Sequence, residues 1–177
     1  PEGEKRFMYG MEKNGNFHMI ADPDKDLSKD LAQGEIILAE GYATGATLHM
    51  ATEKPVAVAF DAGNLEPVAK KLREKFPNAA ITICADNDHK HTRKTPDGVE
   101  HWNKGVELAQ RAAQEVGGKV VAPIFTDEER AKGLTDFNDL HQSRGLGEVK
   151  RQVGLVLKKD VEREKSRSQG LERGMSL

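Results

Sequence analysis

Four carboxylates stand directly after runs of apolar residues. Glu40 follows Glu35-Ile36-Ile37-Leu38-Ala39, and Asp61 follows Val56-Ala57-Val58-Ala59-Phe60. Asp86 and Asp88 follow Ala80-Ile81-Thr82-Ile83-Cys84-Ala85. If these runs are parallel strands, the acids end on one edge of the sheet, where open α/β folds bind their ligands. Like charges gathered there repel one another unless a cation neutralises them. Hard oxygen donors without a cysteine cluster select magnesium, with manganese as a substitute, over zinc. Magnesium held by a few carboxylates and by substrate phosphates is the usual arrangement of phosphoryl-transfer chemistry.

Each acid also has a purely structural reading. Asp86 and Asp88 could solvate a loop, Glu40 could serve the first turn of a helix, and Asp61 could cap the next helix. Gly41 allows a tight turn beside Glu40, and Gly45 allows a close approach to the following helix. Beyond Asp88 come His89, His91 and His101 with Lys90, Arg93 and Lys94. The spacing of the histidines suits a zinc site, but the basic neighbours favour a mobile loop that meets nucleic-acid phosphates or solvent. In Thr135-Asp136-Phe137-Asn138-Asp139-Leu140 the two acids share a helical face. They either cap a short helix or reach the acidic edge as an extra metal or nucleotide contact. Cys84, inside a buried run, reads as inert, and Trp102 as packing.

Positioning these residues requires an alternation of strands and helices. Phe7–Gly10 and Phe17–Ile20 read as two short strands around an Asn14-Gly15 turn. Asp26–Gln33 reads as a short helix stopped by Gly34. The central runs are buried strands. Between them, helices are predicted over Tyr42–Thr52, from Leu65 to Phe76 with Asn64 as N-cap, and from about Val106 to Val116. A polar loop is expected from Asp86 to about Glu100, and Lys119–Ala122 reads as a fourth strand. A helix from Leu146 runs into the mixed-charge tail Lys158–Leu177. Doubly apolar strands separated by helices imply an α/β fold with a parallel sheet covered on both faces. The parts are then 1–34 (hairpin and linking segment), 35–145 (the α/β domain) and 146–177 (helix and charged tail).

Composition narrows the function. The 177 residues carry a formal net charge of -2, so contact with a polyanion must come from a local patch or through a metal ion. Aromatics are only 5%, against a large base-stacking platform. One cysteine excludes an internal disulfide and a cysteine zinc finger. No apolar run is long enough to span a membrane. No signal peptide is visible, so a cytoplasmic location is expected, and a start at Pro1 is expected of a piece of a longer chain.

Glu40-Gly41-Tyr42-Ala43-Thr44 resembles the glutamate motif of the TOPRIM domain shared by bacterial-type primases, topoisomerases and some nucleases. Asp86-Asn87-Asp88 resembles that domain's Asp-x-Asp motif. The segments Phe60–Leu65, Asn103–Gly105 and Thr135–Leu140, and the Gly15–His18 pattern, are similar to primases of plasmids and phages. The resemblance covers roughly Phe7 to Leu140. It implies a TOPRIM-like (Rossmann-like) central four-stranded parallel sheet, with an N-terminal β-hairpin and a C-terminal helix, and magnesium on the acidic edge. Glu40 would be a general acid or base and a metal-side acid, beside the turn at Gly41, and Asp86 and Asp88 would be metal ligands. Two cations about 4 Å apart would activate a 3′-hydroxyl and stabilise departing pyrophosphate. Asp61, Asn103, Asp136 and Asp139 become candidate acidic or nucleotide contacts, and Lys90, Arg93 and Lys94 candidate DNA phosphate contacts. The implied function is magnesium-dependent primer synthesis from nucleoside triphosphates on single-stranded DNA, in bacterial replication or conjugative transfer, within a larger protein. The alternatives are a TOPRIM nuclease and a non-catalytic docking domain of a conjugative relaxase.

Overall fold

Short apolar runs bounded by glycine, proline and polar residues become strands, and the apolar residues spaced three and four apart become the helices that cover them. A computed structural model describes residues 12–32, 34–90 and 92–157. In chain order these form β1 (His18–Ile20), α1 (Leu27–Ala32), β2 (Glu35–Ala39), α2 (Tyr42–Thr52) and β3 (Val56–Val58). A 3-10 turn (Ala62–Asn64), α3 (Leu65–Lys75), β4 (Ala80–Cys84), β5 (Thr92–Thr95) and β6 (Gly98–His101) follow. The chain continues through α4 (Lys104–Val116), β7 (Lys119–Val121), α5 (Asp127–Lys132) and α6 (Phe137–Arg144), then α7 over 146–157.

Five strands make the main sheet, in the order β1-β3-β2-β4-β7. The expected four parallel strands, β3, β2, β4 and β7, are present. A fifth joins them: β1 lies antiparallel on β3, with His18 opposite Val58. The expected strand Phe7–Gly10 and the tail Lys158–Leu177 lie outside the described residues. The Asn14-Gly15 turn is present, with Gly15 at φ +70°, a conformation glycine adopts freely.

The sheet separates two cores. Ile36, Leu38, Ala57, Ile81 and Ile83 face α3 and α4, meeting Val68, Leu72, Ala109 and Ala112. Ile37, Ala39, Val56 and Cys84 face the other way, onto Leu48 of α2, Phe137 and Leu140 of α6, and Val149 and Val153 of α7. Each fully buried aliphatic side chain contributes about 1.5–3 kcal/mol. At Gly45 α2 lies so close to β3 that a Cβ would be 2.8 Å from a Val58 methyl, so the close approach is to a strand and not to the next helix as expected.

Four expectations are corrected. The segment after Asp88 is an antiparallel hairpin, β5–β6, and not an irregular loop. Its strands are polar on both faces and carry no alternation to read. The strand expected to reach Phe60 ends at Val58, and Phe60 turns out of it at φ +65°. Asn64 stands at the start of α3 but makes no side-chain capping bond. It accepts from Gly15 N–H at 2.8 Å and donates to the Asn16 and Ala59 carbonyls at 2.9 Å, tying the early turn to the sheet. Finally, α5 was not expected. It is opened by a capping box between Thr126 and Glu129. Among the described residues no helix is long and apolar enough to cross a membrane.

Candidate functional site

β2 and β4 are neighbours, with Ala39 opposite Cys84, yet the chain leaves them in opposite directions. From β2 it enters α2, on one face of the sheet, whereas β4 leads through β5–β6 into α4, on the other. Such a divergence opens a crevice at the carboxyl ends of the two strands, the usual ligand position in α/β sheets. Glu40 is the first residue after β2 and Asp86 the second after β4, so sequence positions 46 residues apart stand at adjoining strand ends. Gly41 occupies the N-cap of α2, leaving Glu40 one residue outside the helix. Gly41 has φ -97°, and a Cβ there would meet only Thr44 Oγ1 at 3.6 Å. The turn therefore does not demand glycine, contrary to the expectation.

The Asp86-Asn87-Asp88 turn is held from three sides. Asn87 N–H donates to the Thr135 carbonyl at 2.7 Å, and its side chain donates to the Pro123 carbonyl at 2.9 Å. Asn103 is the N-cap of α4. Its Oδ1 accepts from Asp88 N–H at 3.0 Å, and its Nδ2 donates to Asn87 Oδ1 at 2.8 Å. Asp88 Oδ2 accepts from Gly105 N–H at 2.9 Å. Gly105 itself is pressed against the Asp86 carbonyl, where no Cβ would fit. Asn103, expected as a nucleotide contact, is thus a brace of the turn, and one oxygen of Asp88 serves α4.

The structural reading also holds for three other acids. Asp61 caps the 3-10 turn through Gly63 N–H at 2.8 Å and meets Lys13 Nζ at 3.2 Å. Burial raises its pKa, but the Lys13 hydrogen bond, the Gly63 N–H and the charges of Lys13 and Lys104 together hold it below the ordinary value. Asp136 is the N-cap of α6, in a capping box with Asp139. Asp139 Oδ2 accepts from Thr135 N–H at 2.8 Å. The segment nevertheless touches both motifs: Thr44 and Thr47 of α2 donate to Asp136 Oδ2 at 3.0 Å and to Asn138 Oδ1 at 3.2 Å. These long-range ties have no signature in local spacing.

The basic and imidazole groups divide. Lys90 Nζ donates to the Ala131 carbonyl at 3.0 Å, anchoring the loop after β4 to α5. His89 sets its ring nitrogens 3.0 Å from the Asn87 carbonyl and 3.2 Å from the Arg130 carbonyl. Lys94 is exposed on β5. His91 lies outside the described residues, as do the side chains of Arg93 and His101. Cys84 is fully buried, and burial, then the charges of Glu35 and Asp86, push its thiol pKa far up, so it is inert. A cavity of about 480 Å³ sits at the opposite edge, between Thr52, Lys54 and Lys150, away from these groups.

Among the described residues no three carboxylate, imidazole or thiolate groups are arranged to enclose a metal ion. A closed structural cage of the zinc type is therefore not formed by them. Magnesium asks for less: one or two carboxylates, with waters and substrate phosphates completing the octahedron. Asp86 has interactions elsewhere, but its Oδ1 is buried and accepts no hydrogen bond. A carboxylate oxygen is the hard donor that magnesium takes. The donor set at the crevice fits a hard divalent ion shared with a substrate.

A protein-family model described as the Toprim domain matches residues 35–147. Two curated proteins of Escherichia coli, each named DNA primase TraC, are similar to the chain. One is 40% identical over 128 residues, covering 72% of this chain and 8% of the relative. The other is 38% identical over 130 residues, covering 73% of this chain and 11% of the relative. The chain thus corresponds to a small part of these relatives. No solved structure matches it.

Proposed function

Because the chain belongs to the Toprim domain family, we propose that it is the nucleotidyl-transfer core of a primase-type protein, joining nucleotides on single-stranded DNA with magnesium, or manganese, at the crevice between β2 and β4. The observation that carries this reading is the divergence of the chain at those two strands, with Glu40 at one end and Asp86 at the other. The names of the relatives support primer synthesis as the reaction. Their greater length supports a setting within a larger bacterial replication or transfer protein.

Asp86 and Asp88 are the residues to hold the ion, Asp86 through its buried Oδ1. When bound, magnesium supplies charge neutralisation for the triphosphate and acidifies the attacking hydroxyl. Glu40 accepts the proton of a 3′-hydroxyl as its oxygen bonds to the α-phosphorus and the bond to pyrophosphate breaks. The rigid hydrogen bonding around Asn87 and Asn103 keeps the turn from adjusting, so positioning supplies much of the rate. Lys94 is a phosphate contact on the projecting β5–β6 hairpin.

The test supplies the chain with single-stranded template, four ribonucleotides and magnesium, and titrates magnesium by calorimetry. E40Q and D86N are expected to lower oligonucleotide yield by about 10²-fold or more with an unchanged melting temperature. D86N is also expected to weaken magnesium binding. Unchanged yield in E40Q, or unchanged magnesium affinity in D86N, overturns the assignment. Nicking of plasmid DNA in place of synthesis would make the site a nuclease.

A further inference from the structure

Among the described residues the large exposed aromatics are Tyr42, 56% exposed, and Phe60, 37% exposed. Phe17, Phe76, Phe125, Phe137 and Trp102 are buried or half-buried. Both exposed rings stand on the edge that carries Glu40. Tyr42 opens α2 two residues beyond Glu40, and Phe60 leaves the end of β3 beside Asp61. A third ring joins them from the antiparallel strand. His18 begins β1 opposite Val58, the last residue of β3, and so lies on the same edge. It is exposed, and its ring centroid is 5.8 Å from that of Tyr42, with planes tilted by 41°.

Burial accounts for only part of these rings, less than half of Tyr42 and about two-thirds of Phe60. Phe60 is moreover held at φ +65°, a left-handed conformation that a bulky residue adopts only at a cost and that glycine or asparagine would adopt more readily. Retained strain of this kind marks a site where the side chain itself is needed. What planar, exposed rings offer is a π-face, and the ligand with matching faces is a nucleobase.

We infer that Tyr42, braced by His18, forms with Phe60 a stacking platform for the bases of a single strand of DNA entering the carboxyl edge of the sheet. The inference rests on the reading that this edge works on single-stranded DNA, and names the side chains that grip the bases. A strand is favoured over a free nucleotide because the rings stand open on the surface instead of lining a recess that would enclose a small ligand. Stacking is indifferent to base identity, so the platform holds template of any sequence. It also reconciles the low aromatic content with DNA binding, since among the described residues the exposed rings are gathered on one edge.

The test uses the full chain and an oligothymidylate, with 5-iodouracil at single positions for photocrosslinking and a fluorescent label for anisotropy. Crosslinks are expected on Tyr42, His18 or Phe60. Y42A is expected to weaken oligothymidylate binding by about 5- to 150-fold, with Y42F close to wild type. F60G, which keeps the positive φ accessible and removes the ring, is expected to bind oligothymidylate more weakly. On an abasic strand of equal length, wild type and Y42A should bind alike. Equal oligothymidylate binding by Y42A and wild type, or adducts confined to the opposite edge, overturns the inference. So does a Y42A loss seen with ATP alone and not with the strand. Crosslinks at Tyr42 in a chain whose E40Q variant still synthesises normally leave the platform standing and remove the catalytic assignment.

Discussion

Replacing Gly105 with alanine isolates the contact that seats α4 on the Asp86–Asp88 turn. Alanine is the better helix former by up to about 1 kcal/mol, so helix propensity alone predicts a more stable protein. The packing reverses that sign. A Cβ on Gly105 would overlap the Asp86 carbonyl oxygen, lie 3.1 Å from its carbonyl carbon and come within 3.2 Å of Asp88 Oδ2. Carbon and oxygen normally stay about 3.3 Å or more apart, so the helix or the turn must move by about 1 Å. The obstacle is backbone and cannot rotate aside. Overpacking of this kind costs about 1–3 kcal/mol, and after the full propensity gain the net loss is up to about 2 kcal/mol. The melting temperature should fall by up to about 8 °C. The same displacement strains the 2.9 Å bond from Gly105 N–H to Asp88 Oδ2 and shifts the carboxylates assigned to magnesium. Because a 1 Å misplacement of positioning groups can cost about 10²-fold, nucleotidyl transfer should suffer more than stability does. Gly154 in α7 is the internal control: a Cβ there meets nothing within 4 Å. G154A should therefore stabilise by up to about 1 kcal/mol. Thermal melts and magnesium calorimetry on both variants decide the matter. A G105A protein that melts at or above wild type and binds magnesium unchanged refutes the reasoning.

Three further outcomes follow from the same contacts. D136A removes the α6 cap and the bond from Thr44, and should cost about 1–3 kcal/mol in urea unfolding, with D136N costing less because its side-chain oxygen still caps. N64A strands Gly15 N–H and the Ala59 carbonyl, and should cost about 2 kcal/mol or more, read as a lower urea midpoint. Acid stability should report Glu129, whose pKa is brought from 4.5 down to about 2 by the Ser143 hydroxyl and the Thr126 N–H, with Arg144 helping against the opposing burial. A carboxylate depressed in the folded state stabilises fully above its ordinary pKa and loses that contribution as pH falls from about 4.5 towards 2. E129Q should flatten part of that limb of a melting-temperature profile, and superimposable acid limbs for E129Q and wild type would contradict the assignment.

Legibility in the chain followed periodicity. β2, α2 and α4 were readable because four aliphatic residues in a row, or small and aliphatic residues three and four apart, leave one economical way to leave water. The β5–β6 hairpin was not, because its sequence is mostly polar and shows no alternation of apolar and polar residues to read. The six-residue α5 had only its Thr126–Glu129 box to announce it. At the site, the positions of Glu40, Asp86 and Asp88 after strands were visible. The tasks of Asn64, Asn103 and Asp136 were not, since an Asx side chain before a helix reads as a cap whether or not it also reaches across the fold.

The order of residues by itself determined the central strands, the long helices between them, and that acids terminate those strands, because these depend on neighbours within a few positions. Only the tertiary structure decided that α2 and α4 depart to opposite faces, opening the crevice between β2 and β4, and that Thr135 closes on Asn87 and Asp136 on Thr44. It likewise decided that His18 meets Tyr42 and that α4 approaches Asp86 closely enough to exclude a Cβ. Those facts depend on how layers pack and on hydrogen bonds between groups tens of residues apart, and no local pattern encodes a distance across the fold.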